Sequence, residues 1–88
     1  MTNHPGRNLW SAKRMTPEEL RDLIERADIT QTRAADIIGI SLRTMQQYIA
    51  GDRPIPLSVS RHLCAALIII GKRMAVRQWL HPDIARVL

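Results

Sequence analysis

The amino-acid sequence predicts a compact all-α fold, a bundle of four to five helices. Apolar residues make up 45% of the 88 residues, which is enough for one small core and too little chain for two domains. They recur at helical spacing between closely placed start and stop residues, and no stretch has the alternation typical of a strand. With two Trp, one Tyr and no Phe, we expect the core to be aliphatic.

The start of the first helix is predicted by three residues. Thr16 precedes Pro17, which suits the first helical position, and stands three residues before Glu19, which is the spacing of a capping box. We expect this helix to end near Asp28. Its apolar residues share one face and are Leu20, Leu23, Ile24 and Ala27.

Two further helices are predicted between Thr30 and Gly51. Thr30 caps a helix over 31–38 that Gly39 ends, and Ser41 caps a third helix that ends at Gly51. Small residues on the first of them allow close crossing, and a Gly allows a tight turn, so the segment is predicted to be a helix-turn-helix. The inner faces consist of Ala34, Ala35, Ile38, Met45, Tyr48 and Ile49.

The remainder of the chain divides around this segment. Residues 1–15 contain Pro and Gly without helical spacing and are predicted to be a flexible basic N-terminal arm. After a proline-containing connector, a fourth helix is expected to begin near Leu57 and to end at Gly71. We therefore expect a helix-turn-helix domain over 16–71. We expect a C-terminal helical extension over 72–88 that packs against it or dimerises.

Composition argues against several function classes. His4, His62 and His81 lack the spacing of metal ligands, and no nucleophile, base and orienting residue form a set, so neither an enzyme nor a metal or cofactor site is expected. The single Cys64 excludes an internal disulfide, and we expect it to be a small buried apolar residue. The apolar run 66–70 is too short to span a bilayer and the N-terminus is polar, so a cytoplasmic protein is expected. Nothing indicates a small-molecule ligand.

The charge indicates a polyanionic partner. The net charge is +5, and residues 53–82 contain five basic side chains and no acidic one. Nucleic acid is the first candidate for such a surface. On the third helix the side chains that the core does not use include Arg and Gln, whose forked donors match guanine and adenine edges. This predicted reading face consists of Leu42, Arg43, Thr44, Gln46 and Gln47. Leu42 either contacts a thymine methyl group or folds back onto the core.

From Thr16 to about Ile70 the chain resembles the phage-repressor type of helix-turn-helix domain, the Cro/lambda-repressor or Xre-like family. The segment GDRPIP and the chain length also resemble small regulators of phages and mobile elements, including anti-CRISPR-associated repressors. Residues after Gly71 have no counterpart in the minimal domain. The resemblance is carried by Gln31, Ala35, Gly39, Met45 and Tyr48.

The resemblance implies a dimeric transcriptional repressor that binds a palindromic operator in double-stranded DNA, often at its own promoter. The third helix would then lie in the major groove, with the five residues of the reading face at the bases. Tyr48 is expected in the core, with only its hydroxyl reaching the DNA. The residues expected at phosphates are Gln31, Arg33, Ser41, Tyr48 and Arg53.

Apolar residues beyond those of one core predict a homodimer interface in the C-terminal third. Consecutive isoleucines cannot all face one core, so some are expected to meet a second copy, while packing against the tail is the alternative. The predicted interface residues are Leu67, Ile68, Ile69, Ile70, Met74, Trp79 and Leu80.

Two other functions remain open at this point. The apolar C-terminal half is also typical of an antitoxin-like module that neutralises a partner protein. The basic charge alone permits an RNA-binding regulator. Scarce aromatic residues argue against single-strand recognition, which depends on base stacking.

Overall fold

The computed structural model describes residues 14–80, and these form a bundle of five α-helices followed by one 3-10 turn. The prediction of an all-α fold with four to five helices is confirmed, and the described part of the chain contains no β-strand. The elements are α1 (Pro17–Arg26), α2 (Gln31–Ile38), α3 (Leu42–Ala50), α4 (Leu57–Ile69), α5 (Arg73–Val76) and the 3-10 turn Arg77–Trp79.

The first three helices begin at the caps that the sequence predicts. At α1 the N–H of Glu19 donates to the Thr16 hydroxyl at 3.2 Å, while the Thr16 N–H donates to Glu19 Oε1 at 2.9 Å, which completes the capping box. The Thr30 hydroxyl accepts from the N–H of Arg33 at the start of α2. Each bond satisfies a donor that the first helical turn leaves free.

The ends of the first four helices share one backbone geometry. A residue with left-handed φ follows each helix and lets two N–H groups turn back to the last carbonyl groups, as in a Schellman motif. After α2, for example, the Gly39 N–H donates to the Asp36 carbonyl oxygen at 3.2 Å and the Ile40 N–H donates to that of Ala35 at 3.0 Å. The end of α1 differs from the prediction by two residues, because the left-handed position there is Asp28 itself. The four left-handed residues are Asp28, Gly39, Gly51 and Gly71.

One aliphatic core joins the helices. α3 packs against α1 and α2, α4 packs against α2 and α5, and α5 also contacts α1. The predicted inner faces of α1, α2 and α3 are confirmed, since all of their apolar residues are buried. Cys64 is buried as expected. The largest fully buried side chains are Leu20, Leu23, Met45, Leu63, Leu67, Val76 and Cys64.

The C-terminal part corrects the predicted dimer interface. Leu67 is 0% exposed, Trp79 6% and Leu80 5%, so these side chains are buried within the chain and do not form a free surface. The reason is that α5 packs back against α4 and α1, so Val76 and Trp79 belong to the same core as Leu67. Ile68 is half-buried against the same core.

The N-terminal boundary also differs from the expectation. Met15 is only 5% exposed and belongs to the core, although the sequence places it in the arm. The folded unit therefore includes at least one residue before the Thr16 cap. The rest of the predicted arm up to residue 13, and residues 81–88 of the predicted extension, lie outside the described residues.

The described residues contain neither a membrane-spanning helix nor a cluster of metal-ligating side chains. No helix between residues 14 and 80 has both the length and the apolar character needed to cross a membrane. Within the same range, no three His, Cys, Asp or Glu side chains lie close enough together to hold a metal ion.

Candidate nucleic-acid interface

The inner face of helix α3 is anchored in the core. Met45, Tyr48 and Ile49 lie on one face and are 0%, 5% and 6% exposed, and they pack into the core that α1 and α2 line. Buried side chains at this spacing fix both the position and the rotation of a short helix. The opposite face of α3 is consequently presented to solvent in one defined orientation.

The outward face of α3 is polar and carries no acidic side chain. Arg43, Gln46 and Ala50 are exposed, and Gln47 is half-buried between them. At 100° per residue, Arg43 and Gln47 lie one turn apart at the centre of this face. Ala50 extends the face by one further turn and is not among the predicted reading residues.

Two predicted reading residues lie at the edges of this face. The Ser41 hydroxyl accepts from the Thr44 N–H at 3.0 Å and donates to the Thr44 hydroxyl at 2.9 Å, which holds Thr44 half-buried at the helix start. Leu42 is 37% exposed on the other edge. A side chain with this much exposed surface is not folded into the core, so Leu42 has apolar surface available for a partner.

Arg53 folds back onto the end of α3. Its Nη1 donates to the Gln47 side-chain oxygen at 3.4 Å, and its Cζ lies 5.6 Å from the centre of the Tyr48 ring. Both contacts are of kinds that arginine makes well, because its guanidinium is planar and always charged. The sequence predicts Gln47 at the bases and both Tyr48 and Arg53 at phosphates, whereas the structure brings the three side chains into one contact.

Helix α2 carries two other residues that the sequence predicts at phosphates, Gln31 and Arg33. Gln31 opens the helix and is half-buried. Arg33 is exposed, and its Nη1 lies 3.9 Å from a carboxylate oxygen of Asp36, a pair that is itself largely in solvent. Such a pair is weak, so Arg33 remains free to reorient, but the Asp36 charge reduces the positive potential around it.

Arg14 is a basic residue that the sequence analysis did not assign to the site. It lines an open groove of about 430 Å³ together with Arg53, across the apolar side chains of Met15 and Ile55. The groove therefore extends the positive charge beyond the C-terminal end of α3. No pattern in the sequence brings residues 14 and 53 together, because only the packing of the N-terminal segment on the connector does so.

A second exposed surface lies at the corner between α4 and α5. Ile69 is 84% exposed, Met74 70% and Ile70 42%, although all three are apolar. These are the members of the predicted dimer interface that remain accessible. We call the three residues the apolar corner.

The functional proposal depends on this geometry and not on similarity to known proteins. The chain matches no family model, no curated protein and no solved structure. The resemblance drawn from the sequence is therefore an interpretation of its motifs, and the arrangement of α2, α3 and Arg53 carries the functional argument.

Proposed function

We propose that the protein is a sequence-specific regulator of transcription that binds double-stranded DNA, with α3 in the major groove. The single observation that carries the proposal is the outward face of α3. A short helix fixed by three buried residues presents Arg43, Gln46 and Gln47 together. These side-chain types read guanine and adenine edges.

The dimensions and the charge support the same proposal. An α-helix with its side chains is about 10–12 Å across, which suits a major groove about 12 Å wide, and the nine residues of α3 make it about 13 Å long. Arg14, Arg33 and Arg53 lie on neighbouring segments and are exposed to solvent. Cations that flank a reading helix are placed to bind phosphates and to fix its register on the duplex.

Burial of the aromatic residues favours a duplex over single-stranded RNA. Tyr48 and Trp79 are the aromatic residues between positions 14 and 80, and both are buried. Proteins that bind single strands usually stack bases on exposed aromatic rings. Neither the Tyr nor the Trp of this part of the chain is exposed for such stacking.

The test is selection of duplexes from a randomised pool, followed by titration of the enriched duplex and of a scrambled one. Arg43→Ala should weaken binding to the enriched duplex by about 5- to 150-fold and should reduce the preference for it, since about 1–3 kcal/mol is lost with one forked base contact. Arg21→Ala is the matched control, because it removes another exposed arginine, from α1. Failure to enrich any duplex would refute the proposal, as would equal effects of the two variants.

We further propose that the regulator binds as a homodimer through the apolar corner. An isologous pair of subunits would place two α3 helices in successive major grooves, about 34 Å apart, on an inverted repeat. Light scattering should give twice the chain mass of 10.0 kDa. Ile69→Glu should reduce both assembly and DNA affinity without changing the helix content, because Ile69 is 84% exposed. A monomeric wild type, with and without DNA, would contradict this part of the proposal.

A further inference from the structure

The position of Arg53 follows from the end of α3. Gly51 has a φ of 83°, which reverses the chain direction, and the Asp52 N–H donates to the backbone oxygen of Gln47 at 2.9 Å. The following Pro54 restricts Arg53 to extended backbone. Six residues after Gln47 in sequence, the Arg53 side chain is thereby returned to the last turn of α3.

The contacts of Arg53 make it more than a solvated cation. The Tyr48 ring is buried and provides a fixed surface, and the guanidinium lies over it at 5.6 Å. From there Nη1 reaches the amide oxygen of Gln47 at 3.4 Å. Arginine has five donors in a rigid fork, so the other N–H groups remain available to a DNA phosphate.

This bond occupies the oxygen end of the Gln47 amide. A glutamine that reads adenine must accept a hydrogen bond from the base with its oxygen and donate with its nitrogen. In this structure the oxygen already accepts from a permanent cation, whose charge disfavours a second donor there. The Gln47 NH₂ group is left as the end that reaches a base, and it can only donate.

We propose that Arg53 is a positioning residue that makes Gln47 a donor-only reader of base edges. Gln47 then selects a base that presents acceptors in the major groove, above all guanine through N7 and O6, and discriminates against the adenine pairing. The inference rests on the proposed DNA-binding function. It changes the expected role of Arg53, since a contact to phosphate alone carries no sequence information.

The experiment compares Arg53→Lys with Gln47→Ala on the duplex that the wild type enriches and on its single-base-pair variants. Lysine keeps the charge but lacks the planar fork. We expect Gln47→Ala to abolish the preference at one base pair of the site, and Arg53→Lys to reduce that same preference at least three-fold. The double variant should lose no more than Gln47→Ala alone, because the two side chains act as one unit. Unchanged base preferences in Arg53→Lys, or additive effects, would overturn the proposal.

A measurement without DNA separates this inference from the proposed function. In the free protein, Arg53→Lys should shift the side-chain amide NMR signals of Gln47 and leave those of Gln46 in place. If the Gln47 signals do not move, the Arg53 contact is absent and the inference fails, while enrichment of a duplex would leave the proposed function standing. If the signals move but no duplex is enriched, the DNA-binding function and the reading role of Gln47 both fail.

Discussion

Replacement of Gly39 by Ala tests the turn that sets α3 against α2. Gly39 has a φ of 74°, and a Cβ built there would meet no other atom within 4 Å. A steric collision is therefore absent, and the whole effect of the methyl group lies in the backbone conformation. An L-residue in the left-handed region is disfavoured by about 1–2 kcal/mol.

The net loss of folding stability is smaller than this conformational cost. Alanine also reduces the conformational freedom of the unfolded chain, which offsets up to about 1 kcal/mol. We expect Gly39→Ala to lower the free energy of unfolding by about 1 kcal/mol. For a chain of this size that corresponds to a fall in Tm of about 4–8 °C.

The assay is urea and thermal unfolding followed by circular dichroism, with two comparison variants. Gly39→Asn should lose less than Gly39→Ala, because asparagine tolerates left-handed φ better. Asp28→Gly should raise stability, since Asp28 has a φ of 56° and places a negative charge at the C-terminal end of α1, where the helix dipole disfavours it. If Gly39→Ala left the Tm unchanged, position 39 would not have left-handed φ, and the turn described between α2 and α3 would be wrong.

Three further substitutions test the core, a cap and the thiol. Leu63→Ala should cost about 2–5 kcal/mol in chemical unfolding because Leu63 is 0% exposed, whereas His62→Ala, at an exposed position on the same helix, should stay within about 0.5 kcal/mol. Thr16→Ala should cost about 1 kcal/mol through loss of the capping box, seen as a lower Tm. Burial raises the pKa of the Cys64 thiol to about 12, so the native thiol should resist a thiol reagent until urea unfolds the protein. Since the unfolded thiol ionises near pH 8.5, stability should fall as the pH rises above about 8.5, and the loss should be absent in Cys64→Ala.

Local features of the helices were predictable from the sequence because their causes lie within a few residues. Thr16, Thr30 and Ser41 cap helices through bonds to N–H groups three positions ahead, and Gly39 and Gly51 end helices through their own φ. The same locality explains why the inner faces of α1, α2 and α3 could be read from apolar spacing. It also allowed the outward side chains of α3 to be named as candidate DNA contacts.

Local patterns could not predict which apolar residues of α4 are buried and which are exposed. Leu67 and Ile69 are neighbours in an almost wholly apolar helix, yet one is 0% exposed and the other 84%. The helical pattern alone does not choose between them, because α4 has apolar residues on every side. The choice is made by α5, which packs against α4 and contributes Val76 to the same core as Leu67.

The sequence by itself therefore determined the all-α class, the caps of the first three helices and the polar face of α3, all of which depend on short-range hydrogen bonds and periodicity. Only the tertiary structure decided which apolar residues remain on the surface and which basic residues meet at the end of α3. Arg53 lies over Tyr48 and beside Gln47 because Gly51 turns the chain, and Arg14 joins it across a groove because the N-terminal segment packs there. The groove between Arg14 and Arg53 joins residues far apart in sequence, so it depends on how the segments pack, and no local pattern encodes it.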